Sequence, residues 1–164
     1  MDTRQYLIDT FRYNDHANKL ALSKMAGLTD RVECISLFSH LINSMNKWLA
    51  RIDGTPGYAE MDWWLPVYRL DELESKWDEC LQRWLRFLER SSDERLAAQV
   101  TWYNPDIPAA ADGAYNFAAA VVDIALQLNY HSIHHRAQIQ YLIRRQGIEP
   151  DFVDYIGTKY RQLV

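Results

Sequence analysis

The sequence predicts an all-α fold, a four-helix bundle with long connections between helices and a short C-terminal helix. Four long segments place apolar residues at steps of three and four, which is the spacing of one helix face. The 164 residues are enough for one sizeable core and too few for two comfortable domains, so we expect a single domain over residues 1–164. A hydrophobic share of 48% with 24% charged residues agrees with a globular chain.

Cap signals delimit the first two helices. The first covers about Thr3–Ala26, and Gly27 supplies a stop. The second begins at Asp30, whose side chain can cap the helix. Glu33, three residues later, can complete a capping box by a hydrogen bond back to Asp30, and the helix ends at Asp53-Gly54. The predicted buried positions of the first helix include Tyr6, Phe11, Leu20 and Met25.

The remaining helices follow from apolar spacing. The third covers about Asp71–Arg90. The fourth starts between Asp112 and Tyr115 and ends at Gly147, and a short helix is expected over Phe152–Tyr160. The residues at core spacing in the third helix are Leu73, Trp77, Cys80, Leu81, Trp84 and Leu88.

Two long connections carry aromatic residues. The first spans Thr55–Leu70 and the second Gln99–Gly113. Loops of this length in a compact domain are often functional, so their aromatic residues are candidates for the walls or lid of a pocket. The alternative is that they pack over the end of the bundle or against a second subunit. The residues concerned are Trp63, Trp64, Trp102 and Tyr103.

Two histidines lie on the predicted inward face of the fourth helix. Residues four apart are one turn apart on the same face, so His131 and His135 can direct two imidazole nitrogens at one point, as a metal ion requires. A buried imidazole without a partner costs about 1 to 3 kcal/mol, and one cation would serve both. The inward series is Phe117, Val121, Ile124, Leu128, His131, His135, Gln138 or Ile139, and Leu142.

Three other histidines could supply a third ligand. His40 is the best candidate, because it lies beside an apolar face of the second helix that includes Trp48, itself a candidate pocket residue. His16 follows two polar residues and is expected to be exposed or hydrogen-bonded to a neighbour. On a helical wheel His134 points away from the pair, so we expect it behind the ligands or at the pocket rim.

The surrounding residue types narrow the chemistry. A metalloprotease helix would read His-Glu-x-x-His, but Ser132 follows His131. A di-iron site needs inward glutamates, and no Glu lies within residues 112–146. A single divalent ion is therefore expected, and nickel, zinc and iron(II) all suit imidazole. Gln138 and Tyr141 can orient a bound water or substrate, or can hydrogen-bond to a neighbouring helix.

Several motifs along the chain occur together in one known family. They are Tyr13-Asn14, Ala17-Asn18, His40 with Trp48, His131-x-x-His134-His135-Arg136-x-Gln138-Ile139, and Arg144, Gly147, Pro150 and Asp151. With these motifs the chain resembles the DinB-like superfamily of small bacterial helical-bundle proteins, which includes YfiT-like and bacillithiol S-transferase branches. The resemblance implies that His40, His131 and His135 bind one divalent metal. The chain departs from the family at Ala137, where Gly is usual, and at Tyr130, where Asn is common.

Two hypotheses for function follow. The first is a metalloenzyme, a metal-dependent hydrolase or a thiol (S-)transferase, because three neutral imidazoles leave an open position on the ion as in catalytic zinc sites. Thiol transfer, with a low-molecular-weight thiol as the small-molecule substrate, is implied only by the resemblance. The alternative is a non-catalytic, stress-associated binding or interaction protein whose metal site is structural or vestigial.

Charge and cysteine content limit partners and location. A net charge of −4 argues against nucleic acid as a partner, and Arg136, Arg144 and Arg145 are expected to complement the dipole at a helix C-terminus. Cys34 and Cys80 are expected to be reduced core thiols of a cytoplasmic protein, and no segment has the length and apolarity of a membrane span. A homodimer is expected from the resemblance and from the aromatic content.

Overall fold

The computed structural model of the chain describes residues 2–103 and 117–159. Its helices are α1 (Thr3–Met25), α2 (Val32–Ile52), α3 (Leu73–Arg90), the short α4 (Asp93–Ala97) and α5 (Val121–Arg145). Two short strands, β1 (Gln99–Trp102) and β2 (Phe117–Ala120), precede α5, and a 3-10 turn at Ile156–Thr158 follows it.

The four long helices form the bundle that the sequence predicts, so the all-α prediction is confirmed. α1 packs against α3 and α5, and α2 packs against the same two helices. Their apolar faces meet in one core, where Trp77 and Trp84 are fully buried and contact the rings of Phe38 and Phe11. Because α2 packs against α5, side chains from these two helices can meet between them.

The start of α1 follows ordinary capping rules. The Asp2 side chain accepts a hydrogen bond from the backbone of the first turn, which satisfies one otherwise unpaired N–H group. Phe11 and Met25 are buried as predicted. The prediction for Tyr6 is wrong, because this ring is 38% exposed and packs edge-on against Tyr155, a residue that follows α5.

The predicted capping box at the start of α2 is wrong. The helix begins at Val32, and its N–H donates to the Asp30 carboxylate at 3.2 Å, but Glu33 does not return a hydrogen bond. Instead, the amide oxygen of Gln146 accepts from the backbone N–H groups of Thr29 and Asp30 at 3.1 and 3.0 Å. A residue at the end of α5 therefore accepts hydrogen bonds from two backbone N–H groups in the turn between α1 and α2.

The fourth long helix begins later than its periodicity predicts. The predicted start at Asp112 to Tyr115 lies outside the described residues, and the structure has α5 begin at Val121. The assignment of Phe117 to this helix is wrong, because Phe117 lies in β2, which pairs antiparallel with β1. The rings of Trp102 and Phe117 stack across the pair with centroids 5.6 Å apart. A short apolar run is ambiguous between helix and strand, which explains the error.

The segment after α5 is less helical than predicted. Of the expected helix Phe152–Tyr160, the structure contains one 3-10 turn at Ile156–Thr158, and Phe152 is almost fully exposed. Tyr160 lies outside the described residues. Among the helices of residues 2–103 and 117–159, none has both the length and the apolar character needed to cross a membrane.

Candidate metal centre

Three histidines from two helices meet in one cluster. His40 comes from the middle of α2, and His131 and His135 lie one turn apart on α5. The Nε2 atom of His131 lies 3.0 Å from Nε2 of His40 and 2.9 Å from Nε2 of His135. One ring nitrogen of each lies within 4.8 Å of the other two, so the group could hold a metal ion.

The loop after α2 orients the imidazole of His40. The Nδ1–H of His40 donates to the backbone carbonyl of Trp63 at 2.8 Å, because a carbonyl oxygen can only accept. This hydrogen bond fixes the tautomer and leaves the Nε2 lone pair directed at the cluster. The Trp64 indole stacks on the same imidazole, with ring centroids 3.9 Å apart, and is 47% exposed.

The imidazole of His135 is oriented from its own helix. The amide oxygen of Gln138, one turn further along α5, accepts the Nδ1–H of His135 at 2.6 Å. The Nε2 lone pair of His135 therefore also faces the cluster. Gln138 was a predicted pocket residue, and the structure places it in contact with one of the three histidines.

The cluster favours neutral imidazoles. Burial, together with the neighbouring His135, His40 and His134, lowers the pKa of His131 to about 4. Burial is also the main cause that lowers the pKa of His40 and of His135, although their hydrogen bonds to Trp63 and Gln138 oppose it. Because their pKa values are lowered, the three rings are neutral at neutral pH. Neutral imidazole is the form that binds metals.

The donor set fits one divalent cation. Three converging Nε2 atoms, two of them held with their lone pairs inward, repel one another unless a positive charge lies between them. A proton on His131 can bridge to only one neighbour at a time, whereas one cation satisfies all three nitrogens. Imidazole nitrogens around a tetrahedral zinc ion lie about 3.3 Å apart, so the two distances from His131 Nε2, 3.0 and 2.9 Å, would each lengthen by a few tenths of an ångström, and all three nitrogens lie within 4.8 Å of one another.

The remaining predicted site residues lie at different distances from the cluster. His134 is exposed, and its ring meets that of His135 edge-on with centroids 5.0 Å apart, which places it at the rim. Tyr141 is exposed on another face of α5, where the Arg145 guanidinium lies over its ring. His16 is exposed on α1 and is not part of the cluster.

Trp48 belongs to an aromatic group beside the cluster. Its ring lies 5.9 Å from that of Trp63 and 5.2 Å from that of Trp102. The Arg51 guanidinium packs against all three rings and against Tyr58. Trp102 thus packs over the bundle, as the alternative for the loop aromatics predicted, while Trp63 and Trp64 contact the histidine cluster.

Sequence reasoning missed the polar residues of α2 that face the loop. Ser39, Asn43 and Lys47 are buried and spaced four apart, so they share one helix face. Each binds the backbone of the segment that carries Trp63 and Trp64. Their spacing is the available signal, but polar residues at this spacing usually indicate a solvated face.

A buried polar network lies behind the cluster, between α1 and α5. The Arg136 guanidinium donates to the amide oxygens of Asn14 and Asn18, both at 2.8 Å. Asn14 in turn donates to Asn129, and Asn18 donates to Ser132. The prediction that Arg136 complements a helix C-terminus is wrong, because the side chain is 3% exposed and nine residues from the end of α5.

The structure joins this network to the cluster through a small cavity. Its volume is about 10 Å³, enough for about one water molecule. Asn14, Asn129 and Ser132 line it together with His131 and apolar core residues. Polar groups therefore approach His131 from the interior of the bundle as well as from the cluster.

A helical bundle with a three-imidazole cluster between two of its long helices defines a class of small proteins able to hold one metal ion. The sequence model of the DinB superfamily matches residues 34–139, a range that includes His40, His131 and His135. This match covers more than half of the chain, and the protein belongs to the DinB superfamily. Comparisons with curated proteins and with solved structures gave no match.

Proposed function

We propose that the protein binds one divalent metal ion through His40, His131 and His135 and uses it as a metal-dependent hydrolase or thiol (S-)transferase. The observation that carries the proposal is the convergence of three Nε2 atoms. Two of these rings are held in the ligating tautomer by Trp63 and Gln138. Nickel, zinc and iron(II) are the ions that suit this donor set.

The three ligands of the proposed site are uncharged, and three ligands leave at least one coordination position of the ion free for a water or a substrate. Among residues 2–103 and 117–159 the cluster includes no carboxylate or thiolate, so the three neutral ligands would leave the ion its full charge. A divalent ion held there would lower the pKa of a water or a thiol that binds it. His134 at the rim supplies a further imidazole, suited to take up the proton that such a ligand releases.

A thiol reactant would come from outside the chain. Cys34 and Cys80 are both unpaired and buried, and burial raises the pKa of Cys34 to about 11. Burial raises the pKa of Cys80 further still. Neither is a nucleophile at neutral pH. If the reaction is thiol transfer, the thiol is therefore a low-molecular-weight substrate, and the two unpaired thiols agree with a cytoplasmic protein.

The metal content of purified protein tests the proposal. Untagged wild type, His40→Ala and His135→Ala are reconstituted with nickel, zinc or iron(II), and bound metal is measured by inductively coupled plasma mass spectrometry. We expect about one equivalent in the wild type and its loss in both variants. His16→Ala is the matched control, since His16 is exposed and outside the cluster, and it should bind as the wild type does.

The catalytic part of the proposal needs a separate assay. The metal-loaded protein is given a panel of low-molecular-weight thiols with electrophiles, and a panel of esters and amides. Activity that requires the metal supports catalysis. Stoichiometric metal without activity on either panel would favour the alternative, a non-catalytic interaction protein whose ion holds α2 to α5.

A further inference from the structure

Three polar side chains on one face of α2 anchor the loop that borders the histidine cluster. Ser39 Oγ accepts the backbone N–H of Tyr68 at 3.0 Å. Asn43 Nδ2 donates to the Pro66 carbonyl at 3.0 Å. Lys47, two turns after His40, anchors the earlier part of the same loop.

Lys47 makes most of its polar contacts with backbone carbonyls. Its ammonium donates to the carbonyls of Ala59, at 3.3 Å, and Met61. It also lies 4.6 Å from the centre of the Trp63 ring, within the range of a cation–π interaction. These contacts hold the chain just before the residue whose carbonyl binds His40.

The charge of Lys47 is costly at this position. The residue is 6% exposed, and no carboxylate within the described residues forms an ion pair with it. Burial and the nearby Arg51 lower its pKa, and the carboxylates of Asp62 and Glu60 oppose this only in part. An apolar side chain of similar length would avoid this desolvation. Compared with such an apolar side chain, the Lys47 ammonium contributes its hydrogen bonds and its cation–π contact to the loop.

The peptide between Trp63 and Trp64 is held from both sides. Asp62 Oδ1 accepts the N–H of Trp64 at 2.6 Å and that of Leu65 at 3.0 Å. The carbonyl on the other side of this peptide accepts from His40 Nδ1. A shift of residues 59–61 would move this carbonyl, and His40 would lose the acceptor that fixes its tautomer.

We propose that Lys47 is a positioning residue for the metal centre, which anchors residues 59–63 so that the Trp63 carbonyl holds His40 with Nε2 facing the cluster. The inference rests on the proposed metal site for its functional meaning. Its structural part, the tautomer of His40, can be measured without any metal.

The test compares Lys47→Met with Lys76→Met in the full chain. Lys76 is the matched control, because it is a lysine of α3 paired with Glu79 and, within the described residues, makes no hydrogen bond to residues 59–63. The His40 tautomer is read in metal-free protein from the nitrogen-15 shifts of its imidazole. We expect one Nδ1–H tautomer in the wild type and Lys76→Met, and a mixture of tautomers in Lys47→Met.

A second readout is the nickel dissociation constant, measured by calorimetry. We expect Lys47→Met to weaken binding about 10- to 100-fold, as loss of groups behind metal ligands does. Lys47→Arg keeps donors for both carbonyls and should restore the tautomer and most of the affinity. A general loss of stability would not change the tautomer of a histidine in the folded protein.

The outcomes separate this inference from the proposed function. A single unchanged tautomer in Lys47→Met, or unchanged nickel affinity, would overturn the positioning role. If wild type bound no metal, the proposed function would fail, yet the tautomer measurement would still decide the role of Lys47. If Lys47→Met did not fold, Lys47→Leu also lacks a donor, and an unchanged tautomer there would overturn the inference equally.

Discussion

At the scale of single residues, the cluster is shaped by acceptors on the far side of its rings. The Trp63 carbonyl accepts a hydrogen bond from the Nδ1–H of His40, and the Gln138 amide oxygen accepts one from the Nδ1–H of His135. Each of these hydrogen bonds removes one of two tautomers and limits rotation of the ring. The free energy needed to organise the ligands is therefore supplied by folding and is not subtracted from metal binding.

Gln138→Leu should weaken metal binding about 10-fold without loss of stoichiometry. The substitution removes the acceptor at 2.6 Å from His135, so that ring can rotate and change tautomer. The measurement is a competition titration against a chelator of known affinity. Gln127→Leu, on an exposed position of α5 and away from the cluster, is the control. Equal affinity in the two variants would contradict the orienting role.

Lowering the pH should destabilise the metal-free protein between about pH 6.5 and 4. His131 has its pKa lowered from 6.5 to about 4 in the folded state. Between these values the unfolded chain binds more protons, so the stabilising contribution is complete above pH 6.5 and declines as pH falls. We expect a loss of about 1 to 2 kcal/mol, allowing for solvent screening.

Urea unfolding at a series of pH values measures this decline. His131→Gln lacks the titrating group, so its stability should depend less on pH over the same interval. His16→Gln, which changes an exposed histidine, should follow the wild-type profile. A wild-type free energy of unfolding that stayed constant from pH 7 to 4.5 would contradict the prediction.

The three clustered histidines could be predicted from the sequence. The residues that orient them could be predicted only in part. The positions of His131 and His135 follow from helical spacing, and Gln138 follows from its place one turn later. The Trp63 carbonyl could not be predicted, because a backbone group in an irregular loop leaves no periodic signal. Lys47 was missed because lysine is rarely buried.

At the scale of elements, the interface between α1 and α5 is polar at its centre. Arg136 donates to Asn14 and Asn18, and these two donate onward to Asn129 and Ser132. The other members of the network are neutral amides and a hydroxyl. The positive charge of Arg136 therefore interacts with their dipoles and with the face of the Tyr13 ring, not with a carboxylate of the network. Such a network favours one register between the two helices.

Arg136→Met should reduce the free energy of unfolding by about 2 to 4 kcal/mol. It leaves the amide oxygens of Asn14 and Asn18 buried without their donor. The measurement is chemical unfolding followed by circular dichroism. Arg144→Met removes an exposed ion pair with Glu149 and should cost less than about 1 kcal/mol. Equal losses in both variants would contradict a special role for the network.

The element boundaries show where pattern reasoning ends. The four long helices were predicted because their core faces repeat over many turns. β1 and β2 were not predicted, since each has four residues, too few to show a period. The start of α2 was missed because Glu33 does not form the expected hydrogen bond, and Gln146, more than a hundred residues away, instead binds the backbone N–H groups of Thr29 and Asp30 before the helix.

At the scale of the whole molecule, the cluster connects two helices that are distant in sequence. His40 on α2 and His131 on α5 are 91 residues apart, and a shared ion would join them. Because the unfolded chain would not hold these ligands together, bound metal should raise the stability of the entire bundle.

Metal at about 100 times its dissociation constant should stabilise the wild type by about 2.7 kcal/mol. The expected signature is a higher midpoint of thermal unfolding that increases with metal concentration. His135→Ala should lose most of this response, and His16→Ala should keep it. A response of equal size in His135→Ala would mean that the ion binds elsewhere.

The protein should be a homodimer, with the outward face of α5 at the contact. Tyr130, Ile133 and Tyr141 are exposed apolar residues on one stripe of this helix. Light scattering after size exclusion should give about twice the 19.3 kDa of one chain. Ile133→Glu should shift the mass to that of a monomer, while Val32→Glu, at the exposed start of α2, should not. A monomeric wild type would contradict this prediction.

The stacking of Trp64 on His40 gives the protein its own optical signal. The indole lies 3.9 Å from a ring that would bind the ion, whereas Trp77 and Trp84 are buried in the core. An ion with unpaired d electrons quenches a nearby indole, and a closed-shell ion does not. Intrinsic fluorescence should therefore fall when paramagnetic nickel enters and change little with zinc, so that two metals competing for one protein can be followed without a dye.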